Sequence, residues 1–492
     1  MKVKGWVIAS ILGLAIILRF INLNSLPIFA DESIYIRWAQ VMRAESSLRF
    51  LPLSDGKQPL YMWAVIPVLK LVSDPLLAGR LLSALAGVVT VVGVGVLGYL
   101  LFKKERLGLM AAAIYAVIPY AVFFDRMALV DSMLAMWLVW TAIFFLAAVQ
   151  KRRLDMAMAA GFTLGFAWLT KSPAIFALIL LPSLLLLANR KDSWKSAWLL
   201  VPTYVIAWGM YNVLRLGPEF HMIALRNKDY VYSVWEIAKH PLDPLKPHLR
   251  DALAFYLYLT TPLGLVLTIW GIVAGKWAHW RTRAVLALWW AGPLVIQAAI
   301  AKGFTARYLL FTLPFAVLLM AHAVEHIGEK TKRHRLAWGL LLLLVVVGGG
   351  ESLALIYSPQ LVPLPRVERA GYLEEWTAGF GIRDVAQQLR QVAKAGPVVV
   401  GSEGYFGTPF NALQLYLNDV PNVRVIGIGV WVDKVSPDLT NALAANQVYL
   451  VVNSSRFHVT DPASIGLKLL ASYPKATPPS GETEYLLFFK VQ

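Results

Sequence analysis

The chain has 492 residues, 58% of them hydrophobic and only 15% charged, with a mean hydropathy of +0.60; this excludes an ordinary soluble domain and points to a polytopic membrane protein. The net charge of +17 does not indicate nucleic acid, because Lys and Arg collect in short clusters between apolar runs rather than on one soluble surface. With no cysteine, disulfides, thiolate metal sites and a thiol nucleophile are excluded as well.

The start, "MKVKGWVIASILGLAIILRFINL", has the charged and apolar regions of a signal peptide. No small-residue cleavage site follows, so it reads as a retained first span. A span needs about 20 apolar residues. Segments that meet this are 5–22, 76–102, 107–124, 131–149, 155–170, 172–188, 196–214, 252–274, 284–301, 308–327 and 336–357. Lys171 and Pro173 in "LTKSPAIF" divide the 155–188 stretch into two short helices, since the residue before a proline resists helix. Segment 59–72 is short and holds Pro67, so it reads as interfacial or partly inserted.

With the N-terminus cytoplasmic and 59–72 not spanning, the inside loops are "KKER", "KRRLD", "NRKDSWK", "KWAHWRTR" and "GEKTKRHR". Each carries excess Lys and Arg, as the positive-inside rule requires, and about eleven spans follow. The outer face then holds the first loop (about 23–75), "DRMALVD", the "TKS" turn, the loop 215–251, "AKGFTARY" and residues 358–492. In that last part, "GIRDVAQQLRQVAKAGPVVVGSE" predicts an amphipathic helix running into a strand, and "NVRVIGIG", "QVYLVVN" and "EYLLFFKV" predict further strands. Strands alternating with helices predict an α/β domain on the outer face, after a helical membrane module over 1–357.

Asp31, Glu32, Lys57, Arg80, Arg126, Asp131, Lys171, Lys302 and Arg307 all fall at or near that outer face. A transporter would place polar groups nearer the midplane, in broken helices. A boundary site with both acids and cations suits transfer of a sugar from a lipid phosphate carrier. A carboxylate takes the acceptor proton, and fixed cations stabilise the departing phosphate. A flippase or transporter of a lipid-linked sugar and a non-catalytic membrane assembly or binding subunit are the competing classes.

The pieces "ADESIY", "GKQPLYMW", "AGRLLSALAGVVTV", "VFFDRMALVDSMLAMW", "GFAWLTKSPAIF" and "ARYLLFTLPFAVLL" resemble, in order and membrane side, the GT-C glycosyltransferases that use polyprenyl-phosphate-linked sugars. The nearest branch is that of protein O-mannosyltransferases and the lipid A aminoarabinose transferase. The resemblance runs over about 5–330. It implies an inverting transfer from an undecaprenyl or dolichyl phosphate sugar to a lipid, glycan or protein acceptor, in contact with membrane lipid.

Carried onto this chain, the resemblance makes Asp31 the general base. Glu32 orients Asp31, the acceptor or a bound metal. Lys57 lies near the donor phosphate, although Gln58 stands where the pattern has proline. Asp131 is the second family acid, with Arg126 as its partner and as a further phosphate ligand. Lys171 binds the head group or anchors at the interface. Arg307, followed by Tyr308, is another phosphate ligand, ahead of Lys302. Related enzymes are both metal-dependent and metal-independent, and no metal site or other cofactor is assigned.

Elsewhere, "FHMIALRNKDYVYSVW" with Arg226 and Lys228 reads as a lid over the substrate or as a solvated amphipathic segment. His221, His240 and His248 fit no zinc spacing, Asn453 opens a chance sequon, and "GSEGYFGTPF" reads as a loop. No Rossmann fingerprint or P-loop is present.

Overall fold

The structure is a computed structural model that describes residues 5–188, 194–275, 279–331 and 334–492. Parts of the basic loops "NRKDSWK", "KWAHWRTR" and "GEKTKRHR" lie outside the described residues. The chain forms two compact units. The membrane unit comprises Met1–Leu23, Ser46–Ala64 and Arg80–Pro365; the α/β unit comprises Asn24–Glu45, Val65–Gly79 and Arg366–Gln492. The first loop is therefore shared, and 24–45 and 65–79 group with the C-terminal segment.

Among the described residues, six helices are long and apolar enough to cross a membrane: Pro75–Phe102, Val130–Lys151, Lys195–Leu216, Trp280–Ile300, Ala306–Lys330 and His334–Tyr357. Two bent pairs, Glu105–Val117 with Pro119–Asp125 and Leu245–Leu259 with Thr261–Val273, raise the number to eight if each is one span. Shorter apolar helices are Gly5–Phe20, Leu60–Leu71, Leu154–Thr170 and Ser172–Leu187. Leu60–Leu71 is the segment read as interfacial, and the other three fall on the remaining segments read as spans.

Two of those segments are not straight, and proline is the cause. Residue 252–274 breaks by 115° where Thr261, with φ of 67°, precedes Pro262. The 107–124 segment bends by 58° at Ile118–Pro119. Elsewhere, small residues let helices approach closely. A Cβ on Gly161 would stand 2.8 Å from the Thr203 carbonyl, and one on Gly271 2.2 Å from that of Leu319.

The membrane unit also buries charge. Arg19, within the first apolar helix, pairs through Nε with Asp125 Oδ2 at 3.0 Å, both side chains being essentially inaccessible. Its other nitrogens donate to the Ala116 carbonyl at 2.8 Å and the Tyr115 carbonyl at 3.2 Å. These are carbonyls left open where the helix bends before Pro119, so the guanidinium closes the break. Gly87 makes room, since a Cβ there would meet Asp125 Oδ2 at 2.3 Å.

In the α/β unit, α1 is Ala30–Ala44, α2 Ile382–Val392, α3 Phe410–Tyr416 and α4 Pro437–Ala442. The sheet is β1 Val398–Ser402, β2 Val423–Gly427, β3 Gln447–Asn453, β4 Leu467–Pro474 and β5 Tyr485–Val491, in the order β2-β1-β3-β5-β4. β1 runs parallel to β2 and β3, whereas β5 is antiparallel to β3 and β4. α2 buries Ile382, Val385, Ala386 and Leu389, an i, i+3, i+4, i+7 stripe, as its sequence predicts. Val399, Val448, Leu450, Val452 and Phe489 build the core on one sheet face. The edge strand β4 went unread: mostly exposed, with a bulge between Leu469 and Ala471, it lacks the regular alternation that marks a strand.

The chain reverses direction across the sheet between β1 and β3, and a buried polar cluster sits at their carboxyl ends. Glu403 accepts from the Asn453 backbone N–H and, at 2.7 Å, from Asn453 Nδ2; Lys475 Nζ donates to Asn453 Oδ1 at 2.6 Å. Asn453 is thus buried and bonded, which closes the sequon to modification. Burial pushes the Glu403 carboxyl up to about 7 and the Lys475 ammonium down to about 8.

Two outcomes are expected. Asp125→Ala leaves Arg19 buried and unpaired and costs about 3–5 kcal/mol, whereas Arg19→Met with Asp125→Leu costs less; thermal unfolding of the detergent-purified chain checks the order. The folded state holds the Glu403 proton to about pH 7 and the unfolded chain only to its ordinary 4.5, so the α/β unit loses stability as pH rises through that window. Glu403→Gln removes this fall, read by hydrogen exchange at the β1 and β3 amides after correction for intrinsic rates.

Candidate functional site

Asp31 and Glu32 open α1 in the α/β unit. The Phe29 N–H donates to Glu32 Oε2 at 2.9 Å, and Glu32 is fully buried. Its carboxylate therefore satisfies an N–H at the helix start, where the helix dipole also favours an acid. Ile28 and Phe29 pair antiparallel with Gly379 and Ala378, and the Ala30 N–H donates to the Thr377 carbonyl at 3.1 Å. Asp31 is half-buried on a helix start held by these bonds. Of the two adjacent acids, the buried one holds backbone.

In the membrane unit, the first turn of Val130–Lys151 carries Asp131, which is 2% exposed. Lys171 Nζ donates to its Oδ1 at 2.6 Å and lies 4.4 Å from the centre of the Tyr308 ring. Asp131 Oδ2 has no hydrogen-bond partner among the described residues. Lys171 stands where Leu154–Thr170 ends and the Ser172–Ala174 turn begins, so the "TKS" break delivers the ammonium to the acid. Arg307, largely buried, has its guanidinium 5.3 Å from the same Tyr308 ring. The Ala306–Thr312 turn that carries both is held by Tyr120, whose hydroxyl donates to the Ala306 carbonyl at 2.6 Å.

The first loop reaches this group through Gln58. Its Nε2 donates to Ser172 Oγ at 2.7 Å, next to Lys171. The neighbouring Lys57 donates to the Tyr230 hydroxyl at 2.6 Å. Loop 215–251 is helical over Met222–Tyr230, and Arg226 pairs with Asp55 at 3.1 Å through Nε. Tyr232 and Lys302 exchange backbone bonds with Ile300 and Tyr230, and Lys302 Nζ donates to the Lys228 carbonyl at 2.7 Å. This segment is pinned to 55–57 and 300–302 while most of its side chains stay exposed, and Lys302 is spent on the pinning.

Arg126 behaves differently from expectation. Asp131 pairs with Lys171, not with Arg126. Arg126 is buried and donates to the carbonyls of Leu18, Ile21 and Asn22 at 2.9, 2.7 and 2.7 Å. It closes the carboxyl end of the first helix, where open carbonyls and the dipole attract a cation. No phosphate role is retained for it. Among the described residues, no three His, Asp or Glu side chains gather so as to hold a metal ion.

Sequence reasoning missed the roles of Tyr230 and the Tyr308 ring, which contact the expected cations directly, and of Gln58, which bonds Ser172 beside Lys171. It also missed the Arg19–Asp125 pair. A charge inside an apolar span was the available signal for Arg19. Lys171→Met is expected to strand the Asp131 carboxylate and lower stability by about 3 kcal/mol, near the low end for a broken buried pair because Lys171 keeps some solvent. Lys171→Arg restores most of it in thermal unfolding.

Comparison with known proteins gives three findings. The family model described as dolichyl-phosphate-mannose-protein mannosyltransferase matches residues 56–212. A Sodalis glossinidius (strain morsitans) protein named undecaprenyl phosphate-alpha-4-amino-4-deoxy-L-arabinose arabinosyl transferase 2 is 26% identical over 261 residues, which is 50% of this chain and 46% of that one. The match thus spans about half the length of that relative. The crystal structure of ArnT from Cupriavidus metallidurans in the apo state is similar with a TM-score of 0.59 at 13% identity, over 98% of both chains. Its form bound to undecaprenyl phosphate gives 0.57 at 14% identity, again over 98% of both chains. An archaeal oligosaccharyltransferase, AglB from Archaeoglobus fulgidus, gives 0.50 at 10% identity, covering 97% of this chain and 73% of that one. Apolar helices and a likeness that runs the length of the chain make this an integral membrane protein with a GT-C fold, and the part that matches the family model is similar to glycosyltransferases of that fold.

Proposed function

We propose that this chain moves a sugar from a polyprenyl phosphate carrier to an acceptor hydroxyl at the outer face of the membrane, inverting the anomeric carbon. The observation that carries this reading is the grouping of Lys171, Arg307 and Tyr308 about Asp131, with Lys57 and Gln58 brought to it by the Gln58–Ser172 bond. Such a group suits a phosphate. The relative that binds undecaprenyl phosphate and the mannosyltransferase family model support a carrier of that kind. The basic clusters of the loops support a cytoplasmic N-terminus and an outward α/β unit.

In this reaction the Asp31 carboxylate takes the proton of the acceptor hydroxyl. The oxygen attacks the anomeric carbon from the face opposite the carrier, and the carbon–oxygen bond to phosphate breaks. The bonding pair leaves with the polyprenyl phosphate. Arg307 and Lys57 neutralise that charge, Arg307 with a planar fork and Lys57 as a point charge. Asp131 and Tyr308 hold Lys171 for the same purpose. Glu32 acts through the helix start, as a positioning residue for Asp31.

Asp31→Asn is expected to lower transfer by about 10²–10⁴-fold, the usual worth of a general base, with carrier-lipid binding unchanged. Release of carrier phosphate from several purified polyprenyl-phosphate sugars measures turnover, and near-normal release by the variant rejects the assignment. Arg307→Met is expected to weaken donor binding and turnover together in the same assay.

A further inference from the structure

The α/β unit contains a cavity of about 670 Å³ along the carboxyl half of α1, bounded by residues 69–75, α2 and the end of α3. Its volume falls within the range of small-molecule sites. Three arginines and two acids line it, and the acids are already committed. Asp74 Oδ1 accepts from the N–H groups of Leu76 and Leu77 at 3.0 and 3.2 Å, and its other oxygen pairs with Arg383. Asp419 takes both arms of Arg390, at 2.6 and 2.7 Å. Arg43 is left over. Its hydrogen bond among the described residues goes to the Leu69 carbonyl, 2.8 Å from Nη1, so its other N–H groups face no acid.

The cavity therefore mixes charged and amide side chains with apolar ones such as Leu69, Val72 and Leu415, and carries one positive charge that nothing lining it balances. The Tyr416 ring, with the Arg383 guanidinium 6.0 Å from its centre, gives it an aromatic face. Paired guanidinium–carboxylate forks and side-chain amides offer fixed donors and acceptors to hydroxyl groups, and a ring face accepts the C–H side of a sugar. Arg43 adds a demand for an anion.

Position strengthens the reading. α1 carries Asp31 in its first turn and Arg43 in its last. Twelve residues of helix separate them, about 18 Å. α3 begins just after the loop that meets the start of α1, where a Cβ on Gly407 would lie 3.4 Å from that of Ala30, and it ends at the cavity.

We propose that this cavity binds an acidic sugar segment of the acceptor, bearing a carboxylate or phosphate held by Arg43, about 18 Å along α1 from the reacting hydroxyl. The assignment to the acceptor rests on the sugar-transfer reading above. The acceptor is then extended over several sugar residues, and its charged part is gripped far from the bond being made.

Isothermal titration of the full detergent-solubilised chain with a galacturonic acid trisaccharide, the neutral galactose trisaccharide and inorganic phosphate tests this at constant ionic strength. The acidic trisaccharide is expected to bind at least tenfold more tightly than either of the others. Arg43→Ala lowers its affinity at least tenfold, and Arg43→Lys recovers part of it. Gln387→Glu, an exposed cavity position whose change adds negative charge without removing a contact, gives the same loss if Arg43→Ala folds poorly. Equal affinity for the acidic and neutral trisaccharides, equal affinity for phosphate alone, or indifference to both substitutions overturns the proposal. Titration needs no turnover, so Asp31→Asn retains this binding while losing transfer. No transfer by the unaltered chain from any polyprenyl-phosphate sugar, with the cavity's binding intact, would sink the sugar-transfer reading and leave the cavity standing.

Discussion

In the membrane unit, the approach to Asp131 depends on how buried arginines finish helices that the sequence cannot continue. Arg19 reaches from the first helix to Asp125 and to the carbonyls opened at the Pro119 bend. Arg126, the next residue, reaches back to the carbonyls that end the first helix. The two side chains cross between the same two elements in opposite directions. The turn between Asp125 and Asp131 is thereby held at one end, and Asp131 enters its helix from a defined point. Taking such charges out of water is costly, and the cost is offset here because each guanidinium meets several acceptors at once.

The same logic carries to the cations of the candidate site. Lys171 is presented by a break between two short helices, Arg307 by a turn tied through Tyr120, and Lys57 by a loop whose next residue bonds Ser172. None of these side chains sits in the middle of a regular helix. Broken backbone brings its own unsatisfied groups, and in a membrane it is tolerated only where protein supplies partners. The places where this chain supplies them are the places where Lys57, Lys171 and Arg307 emerge.

The α/β unit solves a different problem. Asp31 needs a rigid helix start, and Glu32, the two-residue strand pairing and the Thr377 carbonyl provide it. The C-terminal segment is thus part of the support for Asp31. At the other end of the same helix, Arg43 faces a cavity that the sheet domain completes.

From the sequence alone, the membrane class, the segments that form apolar helices, and the α/β character of the last 130 or so residues could all be read, because hydropathy and charge pattern act locally along the chain. Motif order also named Asp31, Asp131, Lys57, Lys171 and Arg307. Tertiary structure decided which of these meet. It paired Asp131 with Lys171 instead of the nearer Arg126, turned Arg126 into a helix cap, and revealed Arg19 as its counterpart. It also gathered 24–45 and 65–79 with the C-terminal segment and hid the edge strand's irregular pattern until its partner was seen. The reason is physical: spacing along a chain fixes which residues share a helix face, but a long arginine or lysine chooses among acceptors from several elements. That choice is settled only when those elements pack.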